Sequence, residues 1–320
     1  MKNNSIYYSV GALLYSPADK QNLAQYIISE KFGFGYSLAL CLEDTINDNF
    51  VKEAEIQLIS TIKDIYEALQ NNSNFYLPKI FIRVRNPQQI QYLNDNFGES
   101  NEIITGYIIP KFCVKNADIY IETIDKLNST NAHTKYFMPI YENVSIVDLR
   151  NRYETLYTLK DKLDSVEKYV LNIRVGGNDL SHLFGFRREA TESIHQISPI
   201  ANIFSDIVTI YGMDYIISGP VWEYYSGANW ESGLRKEIND DKLCGFTGKT
   251  VIHPNQIAIV NDEYKVSEKN YNDALEILNW DTKNNSFVSG NKSKERMNEY
   301  KTHLNWANKM CYLAEIYGTK

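Results

Sequence analysis

Short apolar runs rich in β-branched and aromatic residues alternate with amphipathic helical patterns along this chain, eight times over, and that rhythm leaves few folds open. The runs fall at about residues 6–15, 36–42, 79–85, 104–110, 135–140, 169–175, 214–218 and 250–253. Helical periodicity occupies Lys20 to Glu30, Val51 to Leu69, Pro87 to Phe97, Val114 to Leu127, Ser145 to Asp161, Thr191 to Tyr211 and 232–243. Eight strand-helix units predict an α/β protein built as a (β/α)8 TIM barrel, with a doubly wound open sheet as the competing arrangement. A chain of 320 residues is long enough for such a barrel as one domain with an appendage. The expected division is a catalytic barrel over 1–260 and a C-terminal helical extension over 261–320. In the extension, a short helix over 265–280 and a polar connection over 281–292 precede a helix over 293–317. Its stripe of Met297, Tyr300, Leu304, Ala307, Cys311 and Ala314, stopped by Gly318, must cover either its own barrel or a neighbouring subunit.

In a barrel, functional groups gather where the strands end. Here those ends read Leu42-Glu43-Asp44, Arg83-Val84-Arg85-Asn86, Pro110-Lys111, Glu142-Asn143, Gly177-Asn178-Asp179 and Ile252-His253-Pro254. Glu142 and Asp179, closing neighbouring strands, form a candidate Mg2+ pair, because that ion takes a few carboxylates and fills its shell with water and substrate oxygens. The competing reading is two solvated loop acids. Strand alternation puts Phe81, Arg83 and Arg85 on one face and Ile82 and Val84 on the other, so both arginines should point inward at the mouth. Arg83, with Arg85 beside it, is suited to a bidentate grip on a substrate carboxylate, or else to a salt bridge with Glu43 or Asp44. Glu43 and Asp44 either serve the site, through metal waters or an arginine, or open the next helix. Lys111 acts electrostatically on the substrate or in an ion pair, and as a Schiff-base lysine only if desolvated. His253 reaches the mouth or is structural. The segment Gly245 to Thr250 imitates a phosphate loop, but Leu243 stands where the first glycine is required and a strand follows instead of a helix.

Composition removes several classes of function. With a net charge of -7 and no Lys/Arg block, a nucleic-acid surface is not expected. No run reaches the roughly 18 apolar residues of a membrane span. Cys41, Cys113, Cys244 and Cys311 form no CxxC pair, which predicts reduced thiols in a cytoplasmic protein.

Taken in order, these segments resemble the citrate lyase beta-subunit-like family, the HpcH/HpaI aldolase and malyl-CoA lyase group. LEDTI at 42–46 is similar to the family's LEDAV, RVRN at 83–86 to its arginine strand, and IPKF at 109–112 to its PKV. YEN at 141–143 is similar to its glutamate motif, GGNDL at 176–180 to its GxxDL, and GFTGKTVIHPNQI at 245–257 to its GFxGKxxIHPxQ. The resemblance implies a Mg2+-dependent barrel that makes or breaks a carbon-carbon bond through a metal-stabilised enolate of a keto or hydroxy acid, often as an acyl-CoA. It makes Glu142 and Asp179 the metal ligands and Arg83 the carboxylate binder. It also implies a homo-oligomer, a trimer or hexamer, in which Glu299 of Met297-Asn298-Glu299 covers a neighbour's site. The chain departs from the family in lacking an arginine near Gly11 and in having Asn143 where threonine is common, so a non-CoA substrate stays open. In these respects it is similar to a divergent branch linked to tellurium- and stress-resistance clusters. Two alternatives accompany the lyase: a biosynthetic aldolase-type enzyme with a sugar-like or nucleotide-like acceptor, and a catalytically silent barrel that binds a partner.

Overall fold

A computed structural model describes residues 2–71, 74–283 and 286–320. Eight parallel strands close into a barrel in sequence order: β1 (Ala12–Pro17), β2 (Tyr36–Cys41), β3 (Lys79–Arg83), β4 (Ile104–Ile109), β5 (Tyr136–Tyr141), β6 (Ile173–Val175), β7 (Ile217–Val221) and β8 (Lys249–Val251). The connecting helices are α1 (Leu23–Ile28), α2 (Val51–Gln70), α3 (Pro87–Phe97), α4 (Val114–Thr130), α5 (Arg152–Asp164), α6 (Gly177–Leu183), α7 (Ser198–Tyr211), α8 (Trp230–Leu243) and α9 (Asn255–Tyr264). The expected TIM barrel is the observed fold. The eighth connecting helix, α9, runs past the expected domain boundary at 260.

Alternation along the strands builds two apolar layers. Outward residues such as Leu38, Leu40, Ile80 and Ile82 pack on Ala54, Leu58, Ile62 and Ile65 of α2. Inward residues Leu13, Ala39, Phe81, Ile108, Met138 and Ile140 fill the barrel itself. Met138, Ile140 and Glu142 share a face, so the alternation that packs the interior also delivers a carboxylate to its mouth.

Several boundaries differ from expectation for local reasons. Residues 6–8, expected in the first strand, belong to a 3-10 turn over Ser5–Tyr8 in which the Asn4 side chain accepts from the Ile6 N–H at 3.0 Å. Gly11, at φ 60°, then turns the chain into β1. Strand six is shorter than expected, and the acid-bearing segment after it is the short helix α6. The final helix begins at Tyr300 and not at 293, because β9 (Val288–Gly290) and β10 (Met297–Glu299) form an antiparallel hairpin. Asn291 steadies its turn by donating to both Asp273 carboxylate oxygens, at 3.2 and 3.1 Å.

The expected apolar stripe packs on its own chain. On α11 (Tyr300–Tyr317), Ala307, Met310 and Cys311 meet Ala274 and Ile277 of α10 (Glu268–Leu278), while Leu313 and Tyr317 meet Tyr8 and Val266. Met297, expected in the stripe, is 54% exposed because it lies in the hairpin.

Lys249, from the false phosphate loop, has a structural place instead. Its ammonium, fully buried, donates to Glu237 at 2.8 Å and Asp241 at 2.7 Å, two equally buried acids on α8. Arg188 reaches Glu237 at 3.0 Å, and His195 reaches Asp241 at 2.7 Å. This ionic knot ties β8, α8 and the loop after α6 together.

Candidate active site

The strand ends converge on a cavity of about 210 Å³ lined by Tyr15, Arg83, Glu142, Arg174, Asp179 and Thr250, with Ile140, Val221 and Ile252 as apolar wall. Arg83, the last residue of β3, is inward-facing as expected. One nitrogen, Nη2, meets three acids: Glu43 at 2.8 Å, Asp44 at 2.9 Å and Glu142 at 3.3 Å. Its Nε is buried with no hydrogen-bond partner among the described residues.

Glu142 is held by its Oε1 oxygen, which also accepts from the Lys111 backbone N–H at 2.9 Å. Lys111 adopts φ 50°, unusual for a residue with a side chain, and that turn belongs to the segment presenting its N–H to Glu142. The second oxygen, Oε2, lies against Gly176, where a Cβ would come within 2.3 Å of it. Glycine is therefore required for close approach of the two segments. Burial pushes the Glu142 carboxyl up to about 8, against the pull of Arg83, and the negative charge of Asp179 adds to the rise.

Asp179 is brought in by α6, whose first turn carries it to the same cavity. No hydrogen bond or ion pair holds its carboxylate among the described residues. Two carboxylates of one cavity that repel each other, one of them unpaired, suit a hard cation completed by water or substrate oxygens. Among the described residues no cluster of three or more His, Cys, Asp or Glu is placed to cage a metal ion with protein ligands alone.

Other expected site residues take different places. Arg85 does not point into the mouth: its Nε donates to the Leu42 carbonyl at 2.6 Å, and the rest of the guanidinium binds the Glu43 and Ile46 carbonyls and Asp48. β3 ends at Arg83, so strand alternation no longer governs position 85. Lys111 puts its ammonium on Glu43 at 2.6 Å and Asp44 at 3.2 Å; the hydrogen bond to Glu43 raises its pKa, the opposite direction to the depression a Schiff-base lysine needs. Glu43 and Asp44 are thus clamped between Lys111 and Arg83. His253 stacks on Tyr225, with ring centroids 4.6 Å apart, and its Nδ1 accepts from the Asn255 N–H. Glu299 sits beside α11 and accepts from the Thr302 hydroxyl at 2.6 Å, away from this chain's cavity.

Arg174, Tyr15 and Thr250 also line the cavity, though none of them stands among the polar strand ends of the sequence. Arg174 alternates inward on β6, and its Nη2 donates to the Thr250 hydroxyl. An arginine in the middle of an apolar strand was the available signal.

The family model for carbon-carbon bond lyases of the TIM-barrel fold matches residues 4–319. The chain belongs to that family. The lyase also shares its fold with solved citrate lyase beta-like proteins. A citrate lyase from Burkholderia xenovorans LB400 superposes with TM-score 0.71 at 12% identity, covering 97% of this chain and 93% of that one. CitE from Mycobacterium tuberculosis, solved with magnesium, acetoacetate and coenzyme A, gives TM-score 0.62 at 16% identity, covering 97% and 99%. RipC from Yersinia pestis gives 0.55 at 16% identity, covering 82% and 98%. No curated protein matches the lyase by sequence. No helix among its described residues is long and apolar enough to cross a membrane.

Proposed function

We propose that this carbon-carbon lyase is Mg2+-dependent and acts on a small keto or hydroxy acid, free or as a CoA thioester. The observation that carries the reading is the pairing of Glu142 and Asp179 on one cavity, with an oxygen of Glu142 and the whole Asp179 carboxylate free of protein donors among the described residues. Complexes of the M. tuberculosis relative with magnesium and oxaloacetate, and with magnesium and pyruvate, support the same chemistry. Glu142 and Asp179 would hold the ion, which when bound supplies positive charge against which electron density can build on a substrate oxygen. Arg83 keeps its Nε side for the substrate carboxylate while its Nη2 fixes the acids. Burial raises the pKa of Tyr15, so its hydroxyl stays protonated and serves as a hydrogen-bond donor. Ile140, Val221 and Ile252 give the cavity its apolar wall.

Isothermal titration tests the reading: pyruvate or oxaloacetate should bind only with Mg2+ present, and Asp179→Asn should weaken Mg2+ binding at least about tenfold. Keto-acid binding that is indifferent to both changes would remove the proposal. A thermal-shift comparison of acyl-CoAs with free keto acids separates the two substrate forms.

Glu299 belongs to the proposal only through a second copy, since it lies outside its own chain's cavity. A homo-oligomer is therefore expected, with Glu299 moving a proton over the neighbour's mouth. Analytical ultracentrifugation checks this, and a monomer at working concentration would remove Glu299 from the mechanism.

A further inference from the structure

Among the described residues, Arg174 is a cation without a countercharge. Its side chain lies inside the barrel and is 2% exposed; Nη2 is occupied by Thr250, and Nη1 has no partner among the described residues. No acid lies within ion-pair distance of it among those residues, whereas Arg83 meets three. Tyr15, which faces both guanidiniums, stays a neutral phenol and cannot serve as the missing anion. Leaving a guanidinium buried and unpaired is expensive in free energy, and the expense is relieved if a bound ligand brings the negative charge.

The two arginines stand on β3 and β6, three strands apart, and line one cavity. Arg83 lies at the end of its strand, among acids. Arg174 is one residue short of the end of β6 and below Asp179 in the chain's course toward the mouth. A ligand held near the carboxylate pair by one acidic group therefore meets a second, separate donor deeper in the cavity.

We propose that Arg174 is a substrate-binding residue that receives a second carboxylate, so that the acid this lyase handles is a dicarboxylic keto acid and not a monocarboxylic one. The inference rests on the functional reading above and specifies its substrate class. A carboxylate fits better than a phosphate, because one guanidinium and one hydroxyl supply a single positive charge for the group.

The test compares two ligands of equal carbon count, oxaloacetate and 2-oxobutanoate, binding to the Mg2+-loaded protein by isothermal titration. Wild type should bind oxaloacetate on the order of tenfold to a hundredfold more tightly, the worth of a charge-assisted hydrogen bond or two. Arg174→Met should erase that advantage while leaving 2-oxobutanoate and Mg2+ affinities unchanged. Should the variant fail to fold, the wild-type comparison still decides the matter. Equal affinities for the two acids would overturn the Arg174 inference alone. Absence of Mg2+-dependent binding by either acid would overturn the functional reading and this inference with it. Tighter Arg174-dependent binding of inorganic phosphate than of oxaloacetate would overturn the assignment of a carboxylate.

Discussion

Glu142→Gln is expected to abolish measurable Mg2+ binding and to lower lyase turnover by at least about a hundredfold, the scale seen when a charge-stabilising group is lost from a site. The amide keeps the volume and can still accept from the Lys111 N–H, so loss of fold is not the expected cause. Proton and cation compete for this carboxylate. With the carboxyl raised from 4.5 to about 8, Mg2+ binding to wild type should tighten as pH rises from about 6 to 8 and should release a proton. The stability of the cation-free protein should move in the opposite direction. The native state holds a proton that the unfolded chain has lost above 4.5, so this contribution is complete below that value and is lost as pH approaches about 8. Denaturant titrations across that window should show a flatter profile for Glu142→Gln. An equally steep profile in the variant would assign the effect to another group, Glu43 being the first to examine because burial raises it as well.

Lys249→Met should cost about 3–5 kcal/mol of stability, the usual penalty for removing one partner of a buried ionic cluster. Among the described residues, Glu237 would keep Arg188 and the Ile194 N–H as partners, and Asp241, equally buried, would keep His195. Measured by chemical denaturation, the loss should appear in the midpoint with little change of slope. Mg2+ affinity at the cavity should survive at temperatures where the variant remains folded, because none of the cluster residues lines it. A variant as stable as wild type would mean that the remaining cation and imidazole suffice for the two acids.

The barrel was legible because each strand obeys a period of two and each helix a period near 3.6, and the closed sheet needs little more than that repeated. Glu142, Asp179 and Arg83 were legible for a related reason: polar residues at the ends of apolar runs must leave the core at the mouth. The place of Arg85 was not legible because strand parity holds only while the strand lasts, and β3 stops two residues earlier. Arg174 was hidden because it lies within its strand and not at the end. The hairpin before α11 was hidden by short strands of three residues each, whose pairing is supported by a side-chain network around Asn291 and Asp273 and not by any apolar pattern.

Arg83 serves Glu43, Asp44 and Glu142 through a single nitrogen. These four positions therefore cannot drift independently over generations. Losing the guanidinium leaves three acids crowded together, and losing any one acid changes the charge shared by the other two. Descendants of this sequence should keep or exchange the quartet as a block, while Arg174, which meets no acid among the described residues, can change with the substrate alone.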